Sequence, residues 1–145
     1  MSPEKDLALR QKYPKIFKTT QVDNKTLDIW GFECEDGWFE LIDTLCGKIQ
    51  SHIDWRSRSI RSKDELDDLQ VVAQQVKEKF GGLRFYTYGG DDITNAFISF
   101  AESMSMKICE TCGQPGKQQG DRGWIHTACD PCLEKRSWRK HHEES

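Results

Sequence analysis

Residues 109–132 have the sequence CETCGQPGKQQGDRGWIHTACDPC, which contains two cysteine pairs of the form C-x-x-C. Cys109 and Cys112 form the first pair, and Cys129 and Cys132 form the second after sixteen intervening residues. Two thiolates with two residues between them can bind one tetrahedral ion if the backbone turns sharply. Two such pairs at this separation are a strong signal for zinc. The spacing therefore predicts a structural Zn²⁺ site with these four cysteines as ligands.

The residues around the cysteine pairs predict a small zinc module. Gly113 permits the sharp turn after the first pair, and glycines at 116, 120 and 123 allow the intervening loop to double back. Residues 133–138 are predicted to form a short helix after the second pair. This order is typical of a treble-clef or zinc-ribbon module. Because four protein ligands complete a tetrahedral shell, we expect an ion with no open position for catalysis.

Composition predicts a protein of the reducing cytoplasm. The chain has 145 residues, of which 36% are hydrophobic and 31% charged, which suits one small globular protein with a thin core. No apolar stretch approaches the roughly 20 residues of a membrane span, so we expect no membrane contact. The charged N-terminus lacks the apolar region of a signal peptide. In that compartment six cysteines indicate metal ligands or free thiols, and we expect Cys34 and Cys46 to be free and buried.

Apolar residues at spacings of three and four predict two helices in the middle of the chain. The first is capped by Asp36 or Gly37, and its apolar stripe continues to Ile53. The second starts at residues 62–65, which have the S-x-x-E form of a capping box. Apolar residues continue at helical spacing as far as Phe80, where two glycines are predicted to end this helix.

The remaining elements predict an α+β fold that is mostly helical, with a small β-sheet. Residues 83–88 are predicted to be a strand, residues 27–32 a weaker one, and residues 5–13 a short helix. Asp91 or Asp92 caps a third long helix. Its apolar stripe consists of Ile93, Ala96, Phe97, Phe100, Ala101 and Met104. We expect a helical α+β domain over residues 1–105 and the zinc module over residues 106–145.

Two further segments are candidate contact sites. In the basic stretch 55–61, Trp55 could stack on a base while Arg56, Arg58 and Arg61 contact phosphates. The alternative is that these arginines are simply solvated. The net charge of −3 gives no general preference for nucleic acid.

The second segment gathers three acidic residues beside an aromatic one. Glu33, Glu35 and Asp36 precede Trp38, and together they form a candidate docking surface for a protein partner. Helix capping and core packing are the alternative explanation. His126 lies three residues before Cys129 and could replace a thiol ligand or act as a base. We expect a surface histidine or one that only neighbours the metal ligands.

The chain resembles a family of small, uncharacterised phage and bacterial proteins. The run VKEKFGGLRFY at 76–86, the opening YPKIF at 13–17 and GWFELID at 37–43 are similar to that family. The first cysteine pair with the following Gly-x-Pro-Gly and the Gly-Trp at 123–124 are also similar, so the likeness covers nearly the whole chain. Some members have histidine as the last ligand, where this chain has Cys132. The resemblance implies a phage or prophage setting, and hence a host cytoplasm, without implying an activity.

The two cysteine pairs alone are similar to the zinc module of the DksA/TraR family, which binds RNA polymerase. That resemblance implies a transcription regulator. Those proteins carry an acidic coiled-coil tip, whereas residues 54–61 are basic in this chain.

Three functions follow from the sequence. We expect a non-enzymatic, zinc-stabilised protein that binds another protein, such as a host or defence factor, as an inhibitor or modulator. The alternative is a regulator that binds nucleic acid or RNA polymerase. A treble-clef nuclease would need a His–Asn–His set or its equivalent, and His126 is the one histidine in the required region. The sequence leaves the oligomeric state open.

Overall fold

The computed structural model describes residues 1–18, 20–22, 25–27, 31–121 and 124–143. The predicted α+β class is confirmed, but the strands within these residues form three separate antiparallel hairpins and no single sheet. The elements, in chain order, are α1 (Pro3–Lys12), β1 (Thr20–Val22), β2 (Lys25–Leu27), a 3₁₀ turn (Asp36–Trp38), α2 (Phe39–Ser57), α3 (Lys63–Leu69), β3 (Val72–Lys79), β4 (Gly82–Tyr88), α4 (Asp92–Ser105), β5 (Lys117–Asp121), β6 (Trp124–Ala128) and α5 (Asp130–Glu143).

Helix α2 is the central element of the main core. Its buried face follows the predicted stripe and includes Ile42, Leu45, Cys46, Ile49 and Ile53. The prediction that Asp36 or Gly37 caps this helix is wrong. The 3₁₀ turn comes first, and the Asp36 carboxylate accepts a hydrogen bond from the Ser2 backbone N–H at 2.7 Å. That contact ties the start of α1 to the start of α2.

The predicted helix over residues 62–80 is wrong beyond Leu69. Ser62 caps α3 as expected, but residues 72–79 form strand β3, which pairs with β4. The register passes from Ala73 opposite Thr87 to Gln75 opposite Tyr86, so the residue between them is the extra residue of a β-bulge. The bulge shifts the strand alternation by one. Residues 73 and 76 therefore both face the core and imitate helical spacing.

Both edges of the β3–β4 hairpin are covered. On one edge, the Leu83 N–H donates to Ser105 Oγ at 2.9 Å, and the Phe85 N–H donates to Glu102 Oε2 at 3.1 Å. Both acceptors belong to α4. On the other edge, Glu33 exchanges two backbone hydrogen bonds with β3. The hairpin therefore exposes few unpaired backbone groups at these positions.

Helix α4 packs on a face that differs from the predicted stripe. Asp91 caps it as predicted, through a capping box with Thr94. The buried residues of α4 are Thr94, Ile98, Ala101 and Ser105, so Ala101 is the one stripe residue that is buried. Of the larger stripe residues, Ile93 and Phe100 are exposed, and Phe97 and Met104 are half-buried.

The remaining predictions have mixed outcomes. Helix α1 confirms the short N-terminal helix, and β4 confirms the strand at 83–88. Residues 55–57 belong to α2, so the basic segment is not wholly a loop. Ile29, Trp30 and Gly123 lie outside the described residues. The division at residues 105 and 106 stays a prediction, although the core has a large cluster and a small one around the cysteines. None of the described helices has the length and apolar character needed to cross a membrane.

Candidate metal centre

The structure brings the four predicted cysteines together. Their sulfur atoms all lie within 4.8 Å of one another, and the Cys112 and Cys129 sulfurs are 3.6 Å apart. A tetrahedral ion with metal–sulfur bonds of about 2.3 Å requires sulfur–sulfur distances of about 3.8 Å. The spacing matches that requirement. Cys109, Cys112, Cys129 and Cys132 can therefore hold one metal ion.

Local backbone geometry positions the first pair in a tight knuckle between α4 and β5. The Gly113 N–H donates to the Cys109 carbonyl at 2.9 Å, and Gly113 has a φ of +82°, which favours glycine. The Cys109 N–H donates to the Gln114 carbonyl at 2.7 Å. A Cβ on Gly116 would lie 2.9 Å from the Cys109 nitrogen, so only glycine fits there. The hairpin β5–β6 then returns the chain to the second pair, which begins α5.

The thiols of Cys109 and Cys132 differ in their pKa values. Burial raises the pKa of the Cys109 thiol, but the backbone N–H groups of Cys129, Cys112 and Thr111 outweigh burial and lower that pKa to about 6. Burial, together with hydrogen bonds from the neighbouring thiols, raises the pKa of Cys132 to about 12. Without metal, the cluster therefore keeps protons on some of its sulfurs. Metal binding must release these protons, so the affinity for the metal ion should decrease as the pH is lowered.

The predicted docking segment holds the metal site instead of facing a partner. Trp38 is fully buried, and its indole N–H donates to the Ile108 carbonyl at 3.0 Å. The Gly37 N–H donates to the Glu110 carbonyl at 2.7 Å, and the Glu35 N–H donates to the Glu110 carboxylate at 3.1 Å. The prediction of partner docking through Trp38 is therefore wrong. This side chain fills the junction between the main core and the cysteine knuckle.

The acidic neighbours of Trp38 also have partners inside the chain. The Glu35 carboxylate accepts hydrogen bonds from Arg136 and Thr111, and Asp36 is held by the start of α1. The exposed Glu33 pairs through its backbone with β3. Burial, and then the charge of Glu35, raises the pKa of the Glu110 carboxyl to about 7. Glu35 and Asp36 thus belong to an internal junction, whereas the side chain of Glu33 is exposed and docking through it stays a prediction.

A second junction joins the metal module to the tip of the β3–β4 hairpin. The Thr127 hydroxyl donates to the Gly81 carbonyl, and the Glu110 N–H donates to the Thr127 carbonyl at 3.0 Å. A Cβ on Gly81 would lie 3.2 Å from the Ile125 side chain. The FGGL segment at 80–83 therefore forms the hairpin turn and also contacts strand β6 through Gly81.

Within the part of the chain that the structure describes, Cys34, Cys46 and His126 are not part of the four-thiol cluster. Cys34 and Cys46 are free and buried, as predicted, and burial raises both thiol pKa values, that of Cys34 to about 12. The His126 ring lies against Trp124 in a tilted arrangement, with ring centroids 5.6 Å apart and an interplanar angle of 52°, and its Nδ1 lies 3.4 Å from the Arg136 guanidinium. Burial, and then the charge of Arg136, lowers the His126 pKa. His126 thus neighbours the cysteines without joining them.

The candidate nucleic-acid residues partly converge. Three of them, Trp55, Arg56 and Arg58, line an open cleft of about 490 Å³, whereas Arg61 lies outside it. Sequence reasoning missed His52, which also lines this cleft and places its Nε2 2.7 Å from Asp91 Oδ2. The missed signal was the spacing of His52 from Trp55 and Arg56 by three and four residues, which places all three on one side of α2.

The cleft is bounded by a small charge network. The Arg56 guanidinium donates to Asp91 Oδ2 at 2.9 Å, so one carboxylate contacts both Arg56 and His52. Burial raises the pKa of Asp91, but hydrogen bonds from His52, the Thr94 N–H and Arg56 outweigh it and hold that pKa well below its usual range. Within the described residues, the side chain of Arg58 makes no hydrogen bond or ion pair, although its backbone N–H donates to the Arg56 carbonyl at the end of α2.

Comparison with known proteins gives no relative from which a function could be transferred. The chain matches no protein-family model, no curated protein and no solved structure. The resemblances to the phage family and to the DksA/TraR zinc module therefore stay predictions. Any assignment must come from the chemistry of the described residues.

Proposed function

We propose that the four cysteines bind one structural Zn²⁺ ion. The observation that carries this proposal is the convergence of four sulfurs within 4.8 Å. Soft thiolate ligands in a tetrahedral arrangement favour zinc among the common divalent ions. Four protein sulfurs would complete the shell and leave the ion no open position for a substrate or water.

The ion would provide most of the free energy that folds the C-terminal segment. Among the described residues, the apolar cluster around the cysteines has three buried members, Cys109, Ala128 and Cys132, and this core is too small to fold a segment of that length. Structural zinc contributes on the order of 10–16 kcal/mol of apparent binding free energy in small peptides. Zinc would thereby also fix the carbonyls and N–H groups that hold residues 35–38.

With a closed metal site, the function would lie on the surface of the molecule, and we assign it to protein binding. Large aromatic side chains are exposed at several positions, and aromatic residues are enriched in protein interfaces. These residues are Trp55, Phe80, Tyr86, Tyr88, Phe100 and Trp124. In the phage setting that the resemblance implies, the partner would be a host or defence factor that this chain inhibits or modulates.

Phe80 is the strongest single candidate for a contact residue. It occupies the hairpin turn at a φ of +54°, where a bulky side chain is strained, and it is 59% exposed. Such strain costs about 1–3 kcal/mol and is concentrated at functional sites. An exposed phenyl ring at this position contributes little to the chain's own packing, so a contact with a partner would explain its presence.

The test is reconstitution of a defined complex. Zinc-loaded chain is used to isolate a stoichiometric partner from host extract, and the partner is then purified and titrated against the chain. We expect Phe80→Asp to weaken that binding at least tenfold, a loss of about 1.4 kcal/mol. Gln74→Asp, on the exposed side of β3, is the matched control and should bind as the parent does. Failure to recover a stoichiometric partner, or equal binding by both variants, would contradict the proposal.

The cleft beside α2 favours a second candidate function, contact with a single-stranded nucleic acid. The exposed Trp55 indole could stack on a base, and Arg58 could contact a phosphate. The test is a binding titration with labelled single strands across salt concentrations, because phosphate contacts are strongest at low salt. Arg58→Glu should abolish binding and Lys63→Glu, outside the cleft, should not. Absence of binding at low salt would remove this candidate.

A further inference from the structure

Helix α4 leaves several large apolar side chains exposed or half-buried, and one of them, Phe97, also packs against the main core and His52. We call Ile93, Phe97, Phe100 and Met104 the outer stripe of α4. Ile93 is 48% exposed and Phe100 is 68% exposed, while Phe97 and Met104 are half-buried. The buried face of α4 consists of Thr94, Ile98, Ala101 and Ser105, of which Ile98 alone is a large apolar residue. A helix with one face in solvent normally keeps most of its large apolar side chains on the buried face.

The exposed residues beside the outer stripe are small and uncharged. They are Ala96, Ser99 and Ser103, whereas Asn95 lies on the side of α4 opposite the stripe. Solvated helix faces usually carry charged residues, and none of these three positions does. Helix α4 has two charged residues. Asp92 is at its first position, and the Glu102 carboxylate accepts a hydrogen bond from the Phe85 N–H. Neither charge obstructs close approach of another surface to the stripe.

The spacing of the outer stripe selects another helix as its partner. Successive members are four, three and four residues apart, which is the spacing of the apolar seam in a coiled coil. Fourteen residues give α4 a length of about 21 Å. A seam of that length fits one helix of similar length and spacing.

The stripe is complementary to itself when two copies run antiparallel. About a two-fold axis midway along α4, Ile93 of one copy faces Met104 of the second copy, and Phe97 faces Phe100 of the second copy. The four contacts then use the whole stripe on both chains. Such an isologous contact is the commonest way in which soluble proteins form dimers.

The charges at the two ends of α4 favour the same orientation. Asp92 is exposed at the N-terminal end, and Lys107 is exposed two residues after the C-terminal end. In an antiparallel pair, Asp92 lies within one turn of Lys107 of the second copy, and the two helix dipoles oppose each other favourably. A parallel pair would bring like charges together at both ends.

We propose that the outer stripe of α4 is the interface of a symmetric, antiparallel homodimer of this chain. The inference is independent of the metal and of the proposed binding partner. The seam is short, so the interface belongs at the small end, below roughly 1,200 Å² in total. We therefore expect a dimer that forms in the micromolar range.

The first test measures mass by sedimentation of the zinc-loaded chain between about 1 and 300 μM, a range that brackets micromolar association. We expect the parent to change from monomer to dimer over this range and Phe100→Glu to stay monomeric. Asn95→Glu, an equally exposed change on the same helix away from the stripe, should dimerise as the parent does. A parent that stays monomeric throughout, or a Phe100→Glu chain that still dimerises, would overturn the proposal.

The second test distinguishes the antiparallel orientation by exchanging charges. Asp92→Lys and Lys107→Glu should each raise the dimer dissociation constant several-fold, because each places like charges together at both ends. The double variant restores opposite charges and should regain parental dimerisation. Circular dichroism and metal content confirm that each variant is folded. A double variant that dimerises no better than the single variants would contradict this arrangement.

Discussion

Gly37 is a residue at which the main core and the metal module approach closely. A Cβ built on it would lie 2.1 Å from the Cys109 carbonyl oxygen and 2.4 Å from the Glu110 carbonyl oxygen. Backbone atoms cannot yield as the end of a flexible side chain can. The absence of a side chain at residue 37 is therefore a condition for the short hydrogen bond between its N–H and the Glu110 carbonyl.

We predict that Gly37→Ala separates the two parts of the molecule. The added methyl group should lower the free energy of unfolding by about 1–3 kcal/mol, the usual cost of overpacking, or by more. Gly31→Ala is the matched control because its Cβ would meet Asp6 at an ordinary 3.5 Å. Denaturant unfolding measures both. Equal unfolding midpoints for the two variants would contradict this account of the junction.

Asp91 gives a prediction for pH. Its pKa is lowered in the folded state, so its contribution to stability is complete above the unfolded-state pKa of about 3.9 and is lost as pH falls towards the lower folded-state value. Asp91→Asn keeps the shape and removes the titration. The stabilisation that the Asp91 carboxylate gives the parent relative to the variant should therefore shrink as the pH falls below about 4.

The control for this pH prediction is Asp67→Asn, an exposed change on α3 that leaves the contacts of Asp91 intact. Because all the chains lose metal alike in acid, differences between variants isolate the carboxylate. A parent–Asp91→Asn difference that does not change between pH 3 and pH 6, a range spanning the usual carboxyl pKa of about 4, would contradict the assignment.

At the scale of elements, the β3–β4 hairpin is built around an unfavourable turn. Phe80 and Gly81 both have positive φ angles, +54° and +82°, as the central residues of a type I′ turn require. Asparagine and glycine are the residues suited to this geometry. Phe80 therefore lowers the free energy of unfolding relative to asparagine at this position, which is consistent with a role in contacting a partner.

We predict that Phe80→Asn stabilises the protein. Relief of the left-handed strain should raise the free energy of unfolding by about 1 kcal/mol, while the loss of an exposed ring costs little. Thermal unfolding of the zinc-loaded chain measures the change. Gly81→Ala should act in the opposite direction because of its φ and its contact with Ile125. A Phe80→Asn chain that is less stable than the parent would show that the ring packs in the folded chain.

Much of the element order was predictable, and the errors have physical causes. The stripe of α2 and the strand at 83–88 follow directly from apolar spacing. The apolar spacing of strand β3 imitates a helix because its bulge places residues 73 and 76 on one face. Helix α4 buries a different face from the one that its apolar spacing predicts. Its packing is set by Ser105 and Glu102, whose side chains satisfy the edge of β4.

The four cysteines were predictable because their spacing reflects the coordination geometry of one ion. The role of Trp38 was not, since an indole beside three carboxylates in sequence suggests a surface as readily as a junction. What decided the matter was a contact across 70 residues, from the Trp38 indole to the Ile108 carbonyl. Local sequence does not contain that pairing. The same applies to His52 and Asp91, which meet across 39 residues.

At the scale of the whole molecule, the metal site and the main core are linked by a few named hydrogen bonds. Removal of the ion by a chelator should therefore first release the amides of Gly37, Cys109 and Glu110, whose acceptors lie in or beside the knuckle. Hydrogen exchange monitored by mass spectrometry measures this loss of protection. Amides in the centre of α2, around Ile49, should keep theirs for longer. Simultaneous loss throughout the chain would instead indicate that the whole molecule folds only with metal.

The central claim is that Cys109, Cys112, Cys129 and Cys132 hold one zinc ion, and elemental analysis of purified protein tests it most directly. We expect about one zinc per chain, the stoichiometry of a single four-thiolate site. Cys112→Ser should lose most of this zinc, whereas Cys46→Ala, which removes a buried thiol outside the cluster, should retain it. Purified parent protein with far less than one zinc per chain, or a Cys112→Ser chain with undiminished zinc, would contradict the account.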